Sequence, residues 1–256
     1  MTDGGEQTTE TFVSKQPSSF AIVSRLMDVE QFQKRVIFED NHLLVIDKPV
    51  CIATQGASGD EPSLFKLAQH YVKIKYNKPN AVYLGVVSRL DYPVSGVVVF
   101  ARTSKSAKRL NEQFRNHSVR KIYQALLEGK LRTDSSELVD YICEDKRTGK
   151  LWITENPVQN KRFAPKESRL HYNTIRSLTS TTLVEIELLT GRKHQIRLQF
   201  AHQGAPVVGD GKYGARILNL RGICLHARQL TLSHPTQRRN LTFISTPPDW
   251  SKLTLR

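Results

Sequence analysis

Read by its apolar and polar positions, the chain falls into short β-branched runs separated by turns, with a few segments of helical spacing. Val97–Ala101 is continuously apolar and is bounded by Gly96 and by Arg102-Thr103. Such a run is too short for a buried helix and predicts a strand covered on both faces. Upstream, Val36-Ile37-Phe38 and Leu43–Ile46 flank Glu39-Asp40-Asn41 and predict a β-hairpin ending at Asp47-Lys48-Pro49. After a Gly/Ser loop at 56–60, Pro62 is expected to open a helix to about Tyr76, with Leu64, Leu67, Ala68 and Tyr71 at helical spacing. Asn77–Asn80 breaks that helix, and a strand is expected from near Val82.

Beyond Thr103, a plausible N-cap, Ala107, Leu110 and Phe114 mark the buried stripe of a second helix. Val119–Gly129 then reads as a strand with Lys121, Tyr123, Ala125 and Leu127 on one face. Residues 130–170 are polar and irregular, and long loops with short hairpins are expected there. Thr182–Leu189 is strand-like, and Arg192–His202 is expected to be a helix capped by Gly204, with Lys193 and Arg197 on one face. Strands at Ile223–Leu232 and Leu241–Ser245 follow, with Pro247-Pro248 as a stop. No repeat and no regular βαβ alternation is visible. The expected class is α+β, a mixed and mostly antiparallel sheet flanked by helices. Residues 1–35 are expected to be a flexible leader, and 36–256 a single folded domain.

Charge narrows the class of partner. The chain carries a formal net charge of +14, with 38 Lys and Arg against 24 Asp and Glu. The first 35 residues hold four basic and five acidic side chains, so the excess lies in the body. A folded body of that bias attracts polyanions. A membrane surface would call for a basic amphipathic helix with a broad apolar face, and none stands out, which leaves nucleic acid. Between Arg102 and Lys121 the bases meet one acid, Glu112, so the i,i+4 pairs of a merely solvated helix are missing. Lys105, Lys108, Arg109 and Arg115 are therefore candidates for phosphate contact.

The three cysteines, Cys51, Cys143 and Cys224, are widely spaced and include no C-x-x-C pair, which argues against a disulfide framework and suits a reducing compartment. No stretch has the length of a membrane span, and the N-terminus lacks the signature of a secretory signal or a transit peptide. A soluble cytoplasmic monomer is the expectation.

The histidines form no H-E-x-x-H or H-x-H pair and lie among apolar or basic neighbours, which sets metal hydrolysis aside. Gly204–Lys212 resembles a phosphate-binding loop, but Asp210 stands where Lys is required, and a structural turn is expected. There is no dinucleotide fingerprint and no G-x-S-x-G elbow. What survives is a lone carboxylate. Asp91 sits beside Arg89 in Val86–Thr103, where a core strand ends and a tight turn begins. A charged pair pressed between apolar runs is costly unless paired or used, and on this stretch alone the two readings weigh equally.

The ordered blocks of the chain resemble those of the RluA-type pseudouridine synthases, which convert uridine in RNA from its N-glycoside to its C-glycoside. The blocks are Asp47-Lys48-Pro49, Ser88-Arg89-Leu90-Asp91 with Ser95-Gly96, Lys121–Ala125, Thr190–Arg197, Gly209-Asp210 with Tyr213-Gly214, and Leu225-His226-Ala227 with His234-Pro235. The resemblance runs from about Val36 to Trp250. It implies that Asp91 is the catalytic aspartate and that Arg89 fills the space left by a flipped base. It also implies that Tyr123 packs on the target ring and removes the proton from the ring carbon, and that Arg197 pairs with Asp91. Arg192, Lys193 and Lys121 extend the basic residues expected to contact RNA. No metal and no organic cofactor is implied, and the expected partner is rRNA or tRNA.

This chain departs from the family's usual pattern at Ser88, where His is usual, at Tyr92-Pro93, and at Val94, where Thr is common. Its first 35 residues are too few for the small N-terminal RNA-binding domain of many relatives, so RNA selection is expected from the catalytic body. Two other readings compete. One is a non-catalytic RNA-binding or ribosome-assembly protein of the same fold. The other is a glycoside-cleaving enzyme, which needs a second carboxylate, with Asp47 and Asp210 as the candidates.

Overall fold

The structure is a computed structural model that describes residues 9–13, 27–56, 63–218 and 221–250. Its elements in chain order are β1 (Thr9–Val13), α1 (Val29–Gln33), β2 (Val36–Glu39), β3 (Leu43–Lys48), α2 (Leu64–Lys75), β4 (Gly85–Val86), β5 (Ser95–Ala101) and α3 (Ser104–Arg115). They continue with β6 (Arg120–Glu128), β7 (Ser135–Glu144), β8 (Leu151–Thr154), β9 (Lys166–Ser177), β10 (Thr181–Leu188), α4 (Gln195–His202), β11 (Leu225–Ser233) and β12 (Asn240–Ile244). This is the expected α+β class, with a sheet of mostly antiparallel pairs and β1 paired in parallel with β12. The sequence reading placed one domain over 36–256. Within the chain two compact units can be distinguished, one within Met1–Arg120 and Ala227–Pro247, the other within Lys121–His226 and Pro248–Arg256.

In the first unit the strands run β2-β3-β5-β11, β12 pairs with β11, and β4 pairs with the C-terminal end of β5. Every residue of β3 and β5 is buried. Their side chains alternate between two cores. Leu44, Ile46, Val98 and Phe100 face Leu64, Ala68 and Tyr71 of α2. Leu43, Val45, Val97 and Val99 face Leu110 of α3 together with Leu230, Leu241 and Phe243. Cover on both faces explains why β5 reads as an unbroken apolar run.

At its head Gly96 has φ +115°, and a Cβ there would lie 2.2 Å from the Ala227 carbonyl oxygen. Backbone cannot yield as a flexible side chain can, so Gly96→Ala is expected to lower unfolding free energy by at least about 2 kcal/mol. Denaturant titration checks this, and an unchanged midpoint contradicts it.

Several sequence expectations shift here. The leader is not structureless throughout. Thr9–Val13 forms β1, and Phe32 on α1 is buried against Tyr71 with ring centroids 5.0 Å apart. The rest of the leader, 1–8 and 14–26, lies outside the described residues, as does Pro62. The helix expected to open at Pro62 is capped by Ser63, whose hydroxyl accepts the Lys66 N–H at 3.3 Å. The strand expected from Val82 is only the two residues of β4.

In the second unit the order is β6-β10-β9-β7-β8. The loops expected at 130–170 are mostly strand. β7 and β9, ten and twelve residues long, pair over Ser135–Ile142 and Lys166–Asn173. Their polar character comes from a solvent-facing side, with Leu138, Ile142, Leu170 and Tyr172 as the buried side. α4 packs on this sheet through Phe200, whose ring meets Tyr172 edge-on at 5.5 Å. It begins at Gln195 and not at Arg192, because His194 takes the left-handed conformation at φ 54°. Lys193 therefore stands outside the helix and does not share a face with Arg197. The three cysteines are free thiols, and burial pushes Cys224 up to about 12. No helix among the described residues is long and apolar enough to cross a membrane.

Candidate active site

The first unit holds the loop between β4 and β5. Asp91 is half-buried on it and Arg89 is exposed. The backbone on both sides of Asp91 is fastened. The Ser88 hydroxyl accepts the Val99 N–H at 3.1 Å and donates to the Val99 carbonyl at 3.4 Å, continuing with a side chain the ladder that β4 ends. The Thr54 hydroxyl accepts the Leu90 N–H at 3.1 Å and donates to the Leu90 carbonyl at 2.8 Å. The Asp91 carbonyl accepts the Val94 N–H at 3.1 Å, closing the turn through Tyr92-Pro93.

Beneath that turn lies Lys48, fully buried at the end of β3. Its amine donates to the carbonyls of Pro49 at 2.9 Å, Ile52 at 2.8 Å and Tyr92 at 3.3 Å. The Tyr92 carbonyl also accepts the Cys51 N–H at 2.9 Å. Burial pulls the Lys48 amine down to about 7, while the acidic groups Cys51, Asp91 and Asp47 act the other way. Three carbonyls match the three donors of an ammonium and also favour the charge. Nothing in the sequence singled out Lys48 beyond its place in the Asp-Lys-Pro block. A lysine closing a continuous apolar strand was the available signal, because such a charge must be satisfied locally.

The second unit holds Tyr123 and Arg197. Tyr123 is half-buried on β6, in register with Ile186 of β10, which is in register with Tyr172 of β9. Residues in register share a sheet face, so Tyr123 is on the face that α4 covers through Phe200 and Tyr172. Arg197, in the first turn of α4, is 5% exposed and grips Asp210 with both prongs, Nε to Oδ2 at 2.6 Å and Nη2 to Oδ1 at 2.8 Å. Its guanidinium carbon lies 5.0 Å from the centroid of the Tyr213 ring, and the Tyr213 hydroxyl is 2.6 Å from His194 Nδ1. Asp210 thus belongs to a structural turn, as its place in the false phosphate-loop motif implied. The expectation had assigned Arg197 to Asp91; two of its N–H groups are engaged with Asp210.

The basic residues differ in how far they are committed. Lys105, Lys108 and Arg115 are exposed on α3. Arg109, on the same helix, donates from Nη1 to the Pro235 carbonyl at 2.6 Å. Lys193 donates to Glu144 at 2.9 Å, and Arg192 donates from Nε to the Glu167 carbonyl at 3.0 Å.

Lys121 donates to the Thr190 carbonyl at 3.1 Å, and burial followed by the Arg192 charge pulls it from 10.5 to about 8. Between those values the unfolded chain binds a proton that the folded chain has released, so the Lys121 contribution to stability rises with pH across that window. The stability of wild type relative to Lys121→Met is therefore expected to improve between pH 8 and 10 in chemical denaturation. A gap independent of pH contradicts it.

Among the described residues no group of three or more His, Cys, Asp and Glu side chains is placed to hold a metal ion. Of the carboxylates considered as a second acid, Asp210 is occupied by Arg197. Asp47 is buried, accepts the Ser245 hydroxyl at 2.7 Å, and is raised by that burial.

The family described as RNA pseudouridylate synthase matches residues 42–202. Ribosomal large subunit pseudouridine synthase C of Buchnera aphidicola is 30% identical over 231 residues, covering 86% of this chain and 68% of the relative. The dual-specificity RNA pseudouridine synthase RluA of Haemophilus influenzae is 32% identical over 212 residues, covering 81% of this chain and 90% of the relative. Among solved structures, human RNA Pseudouridylate Synthase Domain Containing 4 superposes with a TM-score of 0.71 at 22% identity, over 86% of this chain and 91% of that one, a likeness of fold.

Proposed function

The chain belongs to the RNA pseudouridylate synthase family, in its RluA-type branch, and from that premise we propose that it isomerises selected uridines of ribosomal or transfer RNA with Asp91 as the acting carboxylate. The enzyme class, an isomerase acting on RNA, follows from the family. The assignment to Asp91 is carried by one observation. The residues on either side of it, Leu90 and Tyr92, are bonded through their main chain to Thr54 and Lys48. A backbone so fastened holds a half-buried carboxylate in one position, as preorganised catalysis requires.

The reaction breaks the bond from the ribose to a ring nitrogen, turns the base, and joins the ribose to a ring carbon. A proton leaves that carbon and one is gained at the nitrogen. The base must first leave its stack. In the proposed division of labour Arg89 occupies the vacated space, Tyr123 packs on the ring and takes the carbon's proton, and Arg197 is the site's fixed cation. Lys105, Lys108 and Arg115 contact phosphates. Arg109, Lys121, Arg192 and Lys193 add charge from positions already bonded within the fold. The protein is proposed to act as a cytoplasmic monomer.

Hydrolysis of the glycosidic bond is less well supported, because Asp210 and Asp47 are both engaged away from such a role. The test is incubation with RNA carrying [5-³H]uridine. Release of tritium to water with the RNA chain intact is expected. Free uracil instead of tritiated water contradicts isomerisation, and neither product from any rRNA or tRNA contradicts an enzymatic role.

A further inference from the structure

A cleft at the tip of the β7–β8 hairpin lies outside every assignment made above. It encloses about 540 Å³ between the hairpin turn at Glu144–Arg147 and the short 3-10 turn that holds Arg162 and Phe163. Its acids are already engaged. Glu144 accepts Lys193 at 2.9 Å, and Asp145 accepts the Arg147 N–H and the Thr148 hydroxyl, each at 2.9 Å. Its cations, Lys146, Arg147 and Arg162, are exposed. The Arg162 guanidinium lies 4.4 Å from the centroid of the Phe163 ring, and Phe163 meets Trp152 edge-on at 4.7 Å.

The cleft therefore combines a cationic wall with a stacked guanidinium and aromatic floor. An acidic peptide would use the first and leave the second idle. A nucleotide uses both, its phosphate as counterion to the wall and its base on the π-face, which is how unpaired RNA is gripped. The volume falls within the range of small-ligand pockets.

We infer that this cleft holds one unpaired nucleotide of an RNA chain, with its phosphate against Lys146 and Arg147 and its base on Arg162 and Phe163. The inference rests on the reading of RNA as substrate. It adds a contact on the segment between β7 and β9, which carries none of the family-like blocks.

The chain has two tryptophans, so Trp250→Phe leaves Trp152 as the only reporter, beside the cleft. Titrating that full-length protein with a single-stranded oligouridylate is expected to change Trp152 emission saturably. Phe163→Leu, which keeps an apolar cover on Trp152, is expected to weaken binding by about tenfold. The exposed Arg162→Gln should act in the same direction, and polyglutamate of matched charge should compete poorly. Unchanged affinity in both variants, silent Trp152 emission at saturation, or displacement by polyglutamate overturns the inference.

Tritium release in the same preparations separates it from the enzymatic reading. Wild type that isomerises RNA while both variants bind and react normally removes the cleft alone. Oligouridylate that binds through Phe163 to a protein releasing no tritium upholds the cleft and removes the isomerase.

Discussion

Asp91→Asn is expected to lower single-turnover isomerisation by roughly 10⁴-fold or more, the scale on which removing a nucleophile acts. It should leave RNA affinity within about twofold. The asymmetry follows from the way the loop is held. The bonds from Lys48, Thr54 and Ser88 reach the backbone or strand β5 and not the Asp91 carboxylate, so an isosteric amide disturbs none of them. Phosphate contacts supply most of the affinity for RNA and are carried by other residues. A non-catalytic RNA-binding protein of the same fold would show the same affinity and no dependence of cellular function on Asp91. The separation of binding from turnover in this one variant distinguishes the two.

Asp210→Asn is expected to be the most damaging single change in the second unit. Arg197 is 5% exposed and Asp210 is 2% exposed. Removing one charge of such a pair leaves the other buried without its bidentate partner, a loss of about 3–5 kcal/mol. Replacing both partners by apolar residues of similar volume is by contrast often neutral, so Arg197→Met combined with Asp210→Leu should recover most of the stability. The double variant should nonetheless remain inactive. Recovery of folding without turnover assigns Arg197 a role beyond holding Asp210, whereas recovery of both reduces it to a structural arginine. Denaturant titration and tritium release on the same samples provide the two readings.

Much of this was legible in the chain, and the reasons differ by segment. β5 and α3 were plain because burial on both faces gives an unbroken apolar run, and because Thr103 caps its helix by accepting the Ser106 N–H at 3.1 Å, as its residue type suggests. Gly96 was visible as a turn residue, but its cause, the approach of the Ala227 carbonyl, is a long-range fact no local pattern carries. β7 and β9 were hidden because one face is solvated, and Lys166, Glu167, Arg169 and Asn173 read as loop.

The start of α4 was misplaced because helical spacing continues through Lys193 while the backbone at His194 turns left-handed. The candidate site divides in the same way. Asp91, Tyr123 and Arg197 came from the ordered blocks, and Asp210 was correctly read as part of a turn. Its grip on Arg197 joins residues thirteen apart through an irregular segment, and only the structure carries that. Lys48 was seen as a motif letter and not as the amine that ties three carbonyls together beneath the Asp91 turn.

The central claim, that this chain makes pseudouridine in RNA through Asp91, is met most directly by mapping pseudouridines in rRNA and tRNA from cells lacking the protein. The cells would be complemented with wild type or with Asp91→Asn at matched abundance. One or more uridines are expected to be modified with wild type and unmodified with the variant. Identical maps from the two complemented strains would contradict the account.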